Sequence, residues 1–342
     1  MTHRKPVAGS IGKIIAEIGS VHDGSFGNAC KLIDAAARCG ADIVKFQTHI
    51  AEAETLADAP MPSYFKGEPR MAYFRRTGFT LDQWRELKQA CAAANVGFLS
   101  SPFSLEAVDL LEDVGVDSYK IPSGEVTNLP LLEHITRTGK PVLLSSGMSN
   151  WTELDAAVET LRHGGPVTIL QCTSAYPCPP ERVGLNVIPE MAARWDLPVG
   201  YSDHADGFAA AFAATALGAT VIEKHFTFSR LMYGSDAANA MEPEDFRRYC
   251  AGLRDIWQMQ QTPVDKNDLA PYVEMKRIFE KSVVTARPLT AGHTLTHSDL
   301  AFKKPGDGIS AAVWRSLIGR RIAADLPENH KLGAADLSVD TH

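Results

Sequence analysis

Short apolar runs recur along the chain, and each one ends in polar residues. They begin at Lys13 (KIIAEIGS), Ile43 (IVKFQTH), Gly97 (GFLSSPFS), Ser118 (SYKIPSGE), Pro141 (PVLLSSGMS), Val167 (VTILQCTSAYP), Val199 (VGYSDH) and Thr220 (TVIEKHFTF). Runs of this length, bounded by Gly, Pro and Ser, read as buried strands. Patterns of helical period lie between them. NACKLIDAAARCG stops at Gly40, and TLDQWRELKQACAAANVG opens with a Thr80–Gln83 capping box. WTELDAAVETLRHGG places Leu154, Ala157, Val158 and Leu161 on one face before Gly164. The alanine-rich GFAAAFAATALGA must approach its neighbours closely. Eight strands alternating with helices predict an α/β fold with a parallel sheet, and the number eight favours a closed (β/α)8 barrel. An open doubly wound sheet is the alternative, but the chain carries no GxGxxG fingerprint and no P-loop.

Two stretches break the alternation. Ala51 to Phe79 is too long for an ordinary connection, and its aromatic and basic residues suit a lid over a barrel mouth. After the eighth strand, PEDFRRYCAGLRDIWQMQ reads as a helix and TPVDKNDLAPYVEMKRIFE as a connector with some helix. From Lys281 the texture changes to short strands and turns rich in Gly, Pro and Thr. The expected organisation is a barrel over 1–260, a linker over 261–280 and a small β-rich domain over 281–342.

Composition narrows the classes. Of 342 residues, 45% are hydrophobic and 22% charged, which suits a soluble globular protein with a sizeable core. The net charge of -7, with no long basic run, argues against nucleic acid as a partner. No apolar stretch of about 18 residues exists, so no membrane span is expected. The N-terminus lacks the apolar core of a signal peptide, and the six cysteines form no CxxC pair. Both features point to a cytoplasmic protein with reduced thiols.

The chemistry gathers at the strand ends, where barrel enzymes place it. Glu17 ends the first strand, and Lys45 and Gln47 end the second. Ser101 follows, then Lys120, Ser123 and Glu125, then Ser145, then Ser174 and Tyr176. Ser202 with His204, and Glu223 with His225, close the round. A packing core does not need polar groups on all eight strands. A single histidine is more often structural, but His204 and His225 end neighbouring strands and can together bind a divalent metal. Alternation puts Glu223 on the face of His225 and turns Lys224 toward the helices. Lys45 and Lys120, with the PSGE and SSGM turns, look like an anion cradle. Glu17 and Glu125 are the carboxylates expected beside that charge, ionised and able to shuttle a proton. Alternation turns Lys120 away from Ser123 and Glu125 unless Pro122 breaks the strand.

These stretches resemble the sialic acid synthase family, the phosphoenolpyruvate-condensing nonulosonate synthases. AEIGSVHDGS, VKFQTHI, FLSSPFS, YKIPSGE, PVLLSSGM, QCTSAYP, VGYSDH and VIEKHFT occur in order across the barrel. The tail FKKPGDGIS…LIGRRIAADL resembles the family's antifreeze-like (SAF) domain. The resemblance implies condensation of phosphoenolpyruvate with an open-chain N-acyl hexosamine, N-acetylmannosamine or a diacetamido or phosphorylated relative. The products are a nine-carbon 2-keto-3-deoxy acid and phosphate. By motif it implies Mn2+ or Mg2+ on His204 and His225. Phosphoenolpyruvate falls to Lys45, Ser101, Lys120, Ser123, Ser145, Ser174 and Ser202. Glu125 handles protons beside Glu17, and Gln47, Tyr176 and Asp236 meet the sugar. It also implies a domain-swapped homodimer whose small domain covers the partner's barrel.

The sequence departs from the family pattern in places. Lys304 stands where an arginine of an Arg-Pro pair reaches the sugar, and lysine cannot form the bidentate fork. Val21 replaces a usual asparagine, Gln171 a common histidine, and Ser174 an asparagine of some members. SRLMYGSD keeps Arg230, Gly234 and Asp236 of a loop that otherwise differs. The pattern implies a preserved reaction on an acceptor other than plain N-acetylmannosamine. Two other readings stay open: a metal-dependent pyruvate aldolase on the same barrel, and a non-catalytic carbohydrate binder.

Overall fold

The structure, a computed structural model, describes residues 12–60, 68–234 and 236–338. Eight parallel strands close a barrel in sequence order. They are β1 (Lys13–Gly19), β2 (Ile43–Thr48), β3 (Gly97–Pro102), β4 (Tyr119–Ile121), β5 (Val142–Ser145), β6 (Val167–Cys172), β7 (Val199–Asp203) and β8 (Val221–His225). Closure comes from β1, which pairs with β2 on one side and β8 on the other. The closed barrel, not the open sheet, is the outcome.

Alternation along each strand sorts the side chains. Ile14, Ala16, Ile18, Val44, Phe46, Tyr119, Ile121 and Ile222 join the apolar cluster between sheet and helices. The intervening residues, among them Glu17, Lys45, Lys120 and Glu223, therefore point into the barrel. A polar interior at this level is unlike the apolar layers that usually fill such a barrel.

The outer ring begins with α1 (Phe26–Cys39), capped by Ser25 and stopped by Gly40 at φ 102°. The long connection after β2 holds α2 (Ala51–Glu54) and α3 (Arg70–Thr77) before α4 (Leu81–Ala93). Thr80 and Gln83 form the expected capping box on α4. Met61 to Gly67, the centre of the expected lid, lie outside the described residues. The ring continues with α5 (Leu105–Val114), α6 (Leu129–Thr136), α7 (Trp151–Arg162), α8 (Val187–Trp195), α9 (Ala209–Ala216) and α10 (Pro243–Gln261). The alanine helix does approach closely: a Cβ on Gly252 of α10 would fall 2.2 Å from the Phe212 ring. Among the described residues no helix is long and apolar enough to cross a membrane.

The chain divides into two compact units, one through Pro263 and one from Val264. The second carries α11 (Val273–Phe279) and an antiparallel pair, β9 (Ser282–Thr285) and β10 (Leu300–Lys303). Its own core is Val283, Leu289, Leu295, Leu300, Leu317, Ile322, Leu326 and Leu332. The connecting segment belongs with this unit, because Gly306 donates to the Arg277 carbonyl at 2.7 Å and Lys304 Nζ lies 4.9 Å from the Phe279 ring centre.

Candidate active site

Closure of the barrel brings four buried charges together. Glu17 of β1 stands in register with Lys45 of β2 and with His225 of β8. Lys45 Nζ lies 2.9 Å from Glu17 Oε2 and 3.3 Å from Glu223 Oε1. Lys120 Nζ lies 3.5 Å from Glu223 Oε2 and donates to Ser145 Oγ at 2.7 Å. All four side chains are buried. Burial of ions costs several kcal/mol each, and two opposite pairs offset much of that.

The two lysines differ. Burial lowers the pKa of both, but for Lys45 the Glu17 and Glu223 carboxylates outweigh it and the net shift is upward. For Lys120 burial wins: Glu223, with smaller help from Cys172 and Glu17, does not offset it, and Lys45 repels it. Glu223 is itself held below the usual carboxylate range: burial opposes its ionisation, but Lys120 and Lys45 prevail. Lys120 is thus short of negative charge, which an anionic ligand would supply.

Serines and glycines line the same level. Lys45 also donates to Ser101 Oγ at 3.4 Å, and Ser202 Oγ donates to Glu223 Oε1 at 3.4 Å. A Cβ on Gly147 would fall 2.5 Å from Ser174 Oγ and 2.6 Å from Ser123 Oγ. Only glycine lets these three turns converge. On the other side, Gln47 Nε2 donates to Glu17 Oε1 at 2.7 Å. Gly19, at φ +53°, leaves room there for Asp236, whose Oδ2 would lie 2.5 Å from a Cβ.

His204 and His225 converge beside this cluster, with ring centres 5.7 Å apart. Tyr176 lies over both, 4.1 Å from His204 and 5.9 Å from His225. His204 Nδ1 donates to the Thr173 carbonyl at 2.8 Å, which turns Nε2 outward as a lone-pair donor. His225 Nδ1 is buried without a hydrogen-bond partner. Burial pushes the His225 pKa down, so the ring stays neutral, as a metal ligand must be. Burial acts the same way on His204, but Cys172 Sγ at 3.8 Å and the Thr173 carbonyl raise it overall. The pair fits a divalent ion with two protein nitrogens. Among the described residues no group of three His, Cys, Asp or Glu side chains forms a closed metal cluster, so substrate or water must fill the other positions.

Lys224 points outward as alternation requires: it pairs with Asp203 at 3.1 Å behind the sheet and also donates to the Ala205 carbonyl. Glu125 departs from expectation. Pro122 ends β4, and the 3-10 turn Ser123–Glu125 carries the carboxylate away from both lysines. It accepts from Asn128 Nδ2 at 2.7 Å, and burial raises its pKa, with Glu54 adding to the rise. Glu17 joins Lys45 as expected, and the carboxylate that reaches both lysines is Glu223, which the strand pattern placed correctly but to which it gave no role. Val21 is buried in the apolar cluster, and Gln171 donates to the Val183 carbonyl at 3.1 Å. Neither departure therefore offers a side chain to the mouth. Lys304 is exposed on the second unit.

Residues 32–265 match the NeuB family and residues 280–338 the SAF domain. The chain is 37% identical over 318 residues to N,N'-diacetyllegionaminic acid synthase of Campylobacter jejuni, covering 90% of this chain and 94% of that protein. It is 32% identical to N-acetylneuraminate-9-phosphate synthase of Homo sapiens, covering 96% and 93%. The crystal structure of N-acetylneuraminic acid (sialic acid) synthetase from Leptospira borgpetersenii, in complex with citrate, superposes with a TM-score of 0.70 at 27% identity. That match covers 81% of this chain and 95% of that one. With its barrel, its interior charge cluster and its C-terminal unit accounted for, the chain belongs to the NeuB family of phosphoenolpyruvate-condensing sialic and nonulosonic acid synthases, with a SAF domain.

Proposed function

We propose that the chain joins phosphoenolpyruvate to the open-chain form of an N-acyl hexosamine, with water, to give a nine-carbon 2-keto-3-deoxy acid and phosphate. The observation that carries this reading is Lys120, buried, short of negative charge and bonded to Ser145. A phosphoenolpyruvate anion would complete its charge balance. Lys45, Ser101, Ser123, Ser174 and Ser202 surround the same level and would hold the remaining oxygens.

The chemistry follows from that placement. Carbon 3 of phosphoenolpyruvate bonds to the aldehyde carbon, and the aldehyde oxygen gains a proton. Water adds at carbon 2, and collapse to the ketone breaks the carbon–oxygen bond to phosphate. His204 Nε2 and His225 Nδ1 would hold Mn2+ or Mg2+, which supplies Lewis-acid polarisation of the aldehyde oxygen. Glu125 can hold a proton closer to neutrality than an ordinary carboxylate, which suits proton transfer. Glu17 stays beside Lys45 and orients Gln47. Gln47, Tyr176 and Asp236 would meet the sugar.

The acceptor we propose is a diacetamido or phosphorylated relative of N-acetylmannosamine. Lys304 in place of an arginine supports this reading, as does the similarity to a diacetyllegionaminic acid synthase. Lys304 would act across a homodimer, on the partner's barrel. The exposed Val273, Met275 and Phe279 of the second unit, 56–64% accessible, would be covered there. Product masses from phosphoenolpyruvate and a panel of N-acyl hexosamines test the acceptor. Robust turnover with N-acetylmannosamine and none with the other sugars would sink this choice. A chain truncated after Glu280 tests the dimer: full activity would leave Lys304 without a role.

A further inference from the structure

One polar pair near the mouth has no part in the reaction above. His49 follows β2 and Glu54 ends α2, and their side chains are only 6% and 4% exposed. His49 Nδ1 lies 2.9 Å from each oxygen of Glu54. The imidazole is sandwiched between Phe74, with ring centres 3.8 Å apart and planes at 16°, and Phe103, at 4.1 Å and 18°. Its Nε2 lies 3.1 Å from Gln47 Oε1, and Gln47 Nε2 lies 2.7 Å from Glu17 Oε1. Arg70, 5.3 Å from the Phe74 ring centre, and Glu125 are the other charged groups nearby.

The geometry points to His49 and Glu54 as a positioning pair that acts through Gln47, fixing which way its amide faces and so holding it against Glu17. This inference rests on the reading of Glu17 and Gln47 as site residues. The direction follows from counting hydrogens. Glu17, paired with Lys45, can only accept, so the Gln47 amide nitrogen must face it. Gln47 Oε1 then faces His49, and His49 Nε2 must carry a hydrogen and donate. The contact between Nδ1 and Glu54 holds a second hydrogen, on one partner or the other. The dyad therefore contains two hydrogens and is net neutral. Two aromatic faces hold the ring against rotation and tolerate a positive charge on it. If the amide flipped, Gln47 Oε1 would oppose Glu17 Oε1, acceptor against acceptor. A packing role would be served better by an apolar side chain, because a buried polar pair costs desolvation.

The test uses the full chain, with phosphoenolpyruvate, Mn2+ and the acceptor that the wild type accepts. Glutamine places an amide nitrogen where His Nε2 stood, and asparagine places one near Nδ1. H49Q should therefore retain most activity, while H49N and H49F lose on the order of 10- to 100-fold in kcat/KM for the sugar, as loss of outer partners commonly costs. KM for phosphoenolpyruvate should stay close to wild type. Tm should fall in H49Q and H49F, which leave the buried Glu54 carboxylate without its Nδ1 partner, but not in H49N, so stability and activity do not run in parallel. Adding H49F to Q47A should cost nothing further. Equal losses in H49Q and H49N, a full additional loss in the double variant, or a Tm that falls in step with activity would overturn the assignment. A second readout needs no turnover. In histidine labelled with 15N, His49, identified by its loss in H49F, should carry a hydrogen on Nε2. A bare Nε2 would overturn the inference even if no sugar were turned over. Absence of phosphate release by the wild type with every sugar would instead reject the proposed reaction and leave the nitrogen measurement to decide His49.

Discussion

Glu125 and Lys120 are shifted in opposite senses for the same reason, burial without a full set of partners. A carboxyl whose folded pKa is raised favours the fold below its unfolded value, near 4.3, and loses that contribution as pH rises through the folded value. At neutral pH the ionised Glu125 is therefore a cost. E125Q is expected to raise Tm at pH 7–8 while lowering kcat by about 10²–10⁴-fold, the range for loss of a general acid–base group. Melting curves alongside turnover check it, and a lowered Tm would contradict the assignment. Lys120 should lose its proton below the ordinary lysine range near 10.4. KM for phosphoenolpyruvate should then climb on the alkaline side before that range is reached, and a KM flat to pH 10 would refute the shift. These residues also mark what the sequence could express. Glu17, Lys45 and Lys120 were legible because each ends an apolar run. Their partner Glu223 was not assigned, because its approach to Lys45 depends on closure between the first and last strands. His49 was legible as a polar residue at the end of the second strand, but its pairing with Glu54 was not, because the ring stack with Phe74 and Phe103 joins distant parts of the connection after β2 to the one after β3.

At the scale of elements, β7 and β8 matter most, because they carry the two histidines. Asp203 and Lys224 stand in register behind them, and the Tyr249 hydroxyl donates to Asp203 Oδ2 at 3.0 Å. D203N leaves a buried ammonium without its counter-charge and should cost about 3–5 kcal/mol of stability. The double variant D203N/K224M should recover part of that loss in denaturant titration; a further loss would argue against the pair. Gly200 of β7 is equally constrained: a Cβ there would fall 2.5 Å from the Val221 carbonyl of β8. G200A should push the strands apart and weaken Mn2+ binding, measured by calorimetry, and an unchanged affinity would contradict it. Strand starts, the Thr80 capping box and the Gly40 stop were readable, because each is decided by a few adjacent residues. The sequence leaves the end of β4 open, and of the two alternatives the structure has Pro122 breaking the strand.

The whole molecule is two units with separate cores, and its second unit has its own ionic centre. Asp299 is fully buried, bonded to Arg287 Nη2 at 2.6 Å and to His293 Nε2 at 2.9 Å. Burial opposes its ionisation, but His293, Thr296 and Arg287 outweigh it and hold the carboxyl well below the usual range. A depressed carboxyl stabilises above its unfolded value, near 3.9, and that contribution fades as pH falls through the folded value. D299N should therefore destabilise the second unit at pH 7 by roughly 1–3 kcal/mol for each group left unpaired. The deficit should shrink in strong acid. The most direct test of the account is phosphate release from phosphoenolpyruvate by the full chain, with Mn2+ and a panel of N-acyl hexosamines, in wild type, K120A and H225A. Release should require a sugar and the metal together, and either substitution should abolish it. Release without sugar, or undiminished release in K120A, would contradict a site built to hold phosphoenolpyruvate on Lys120.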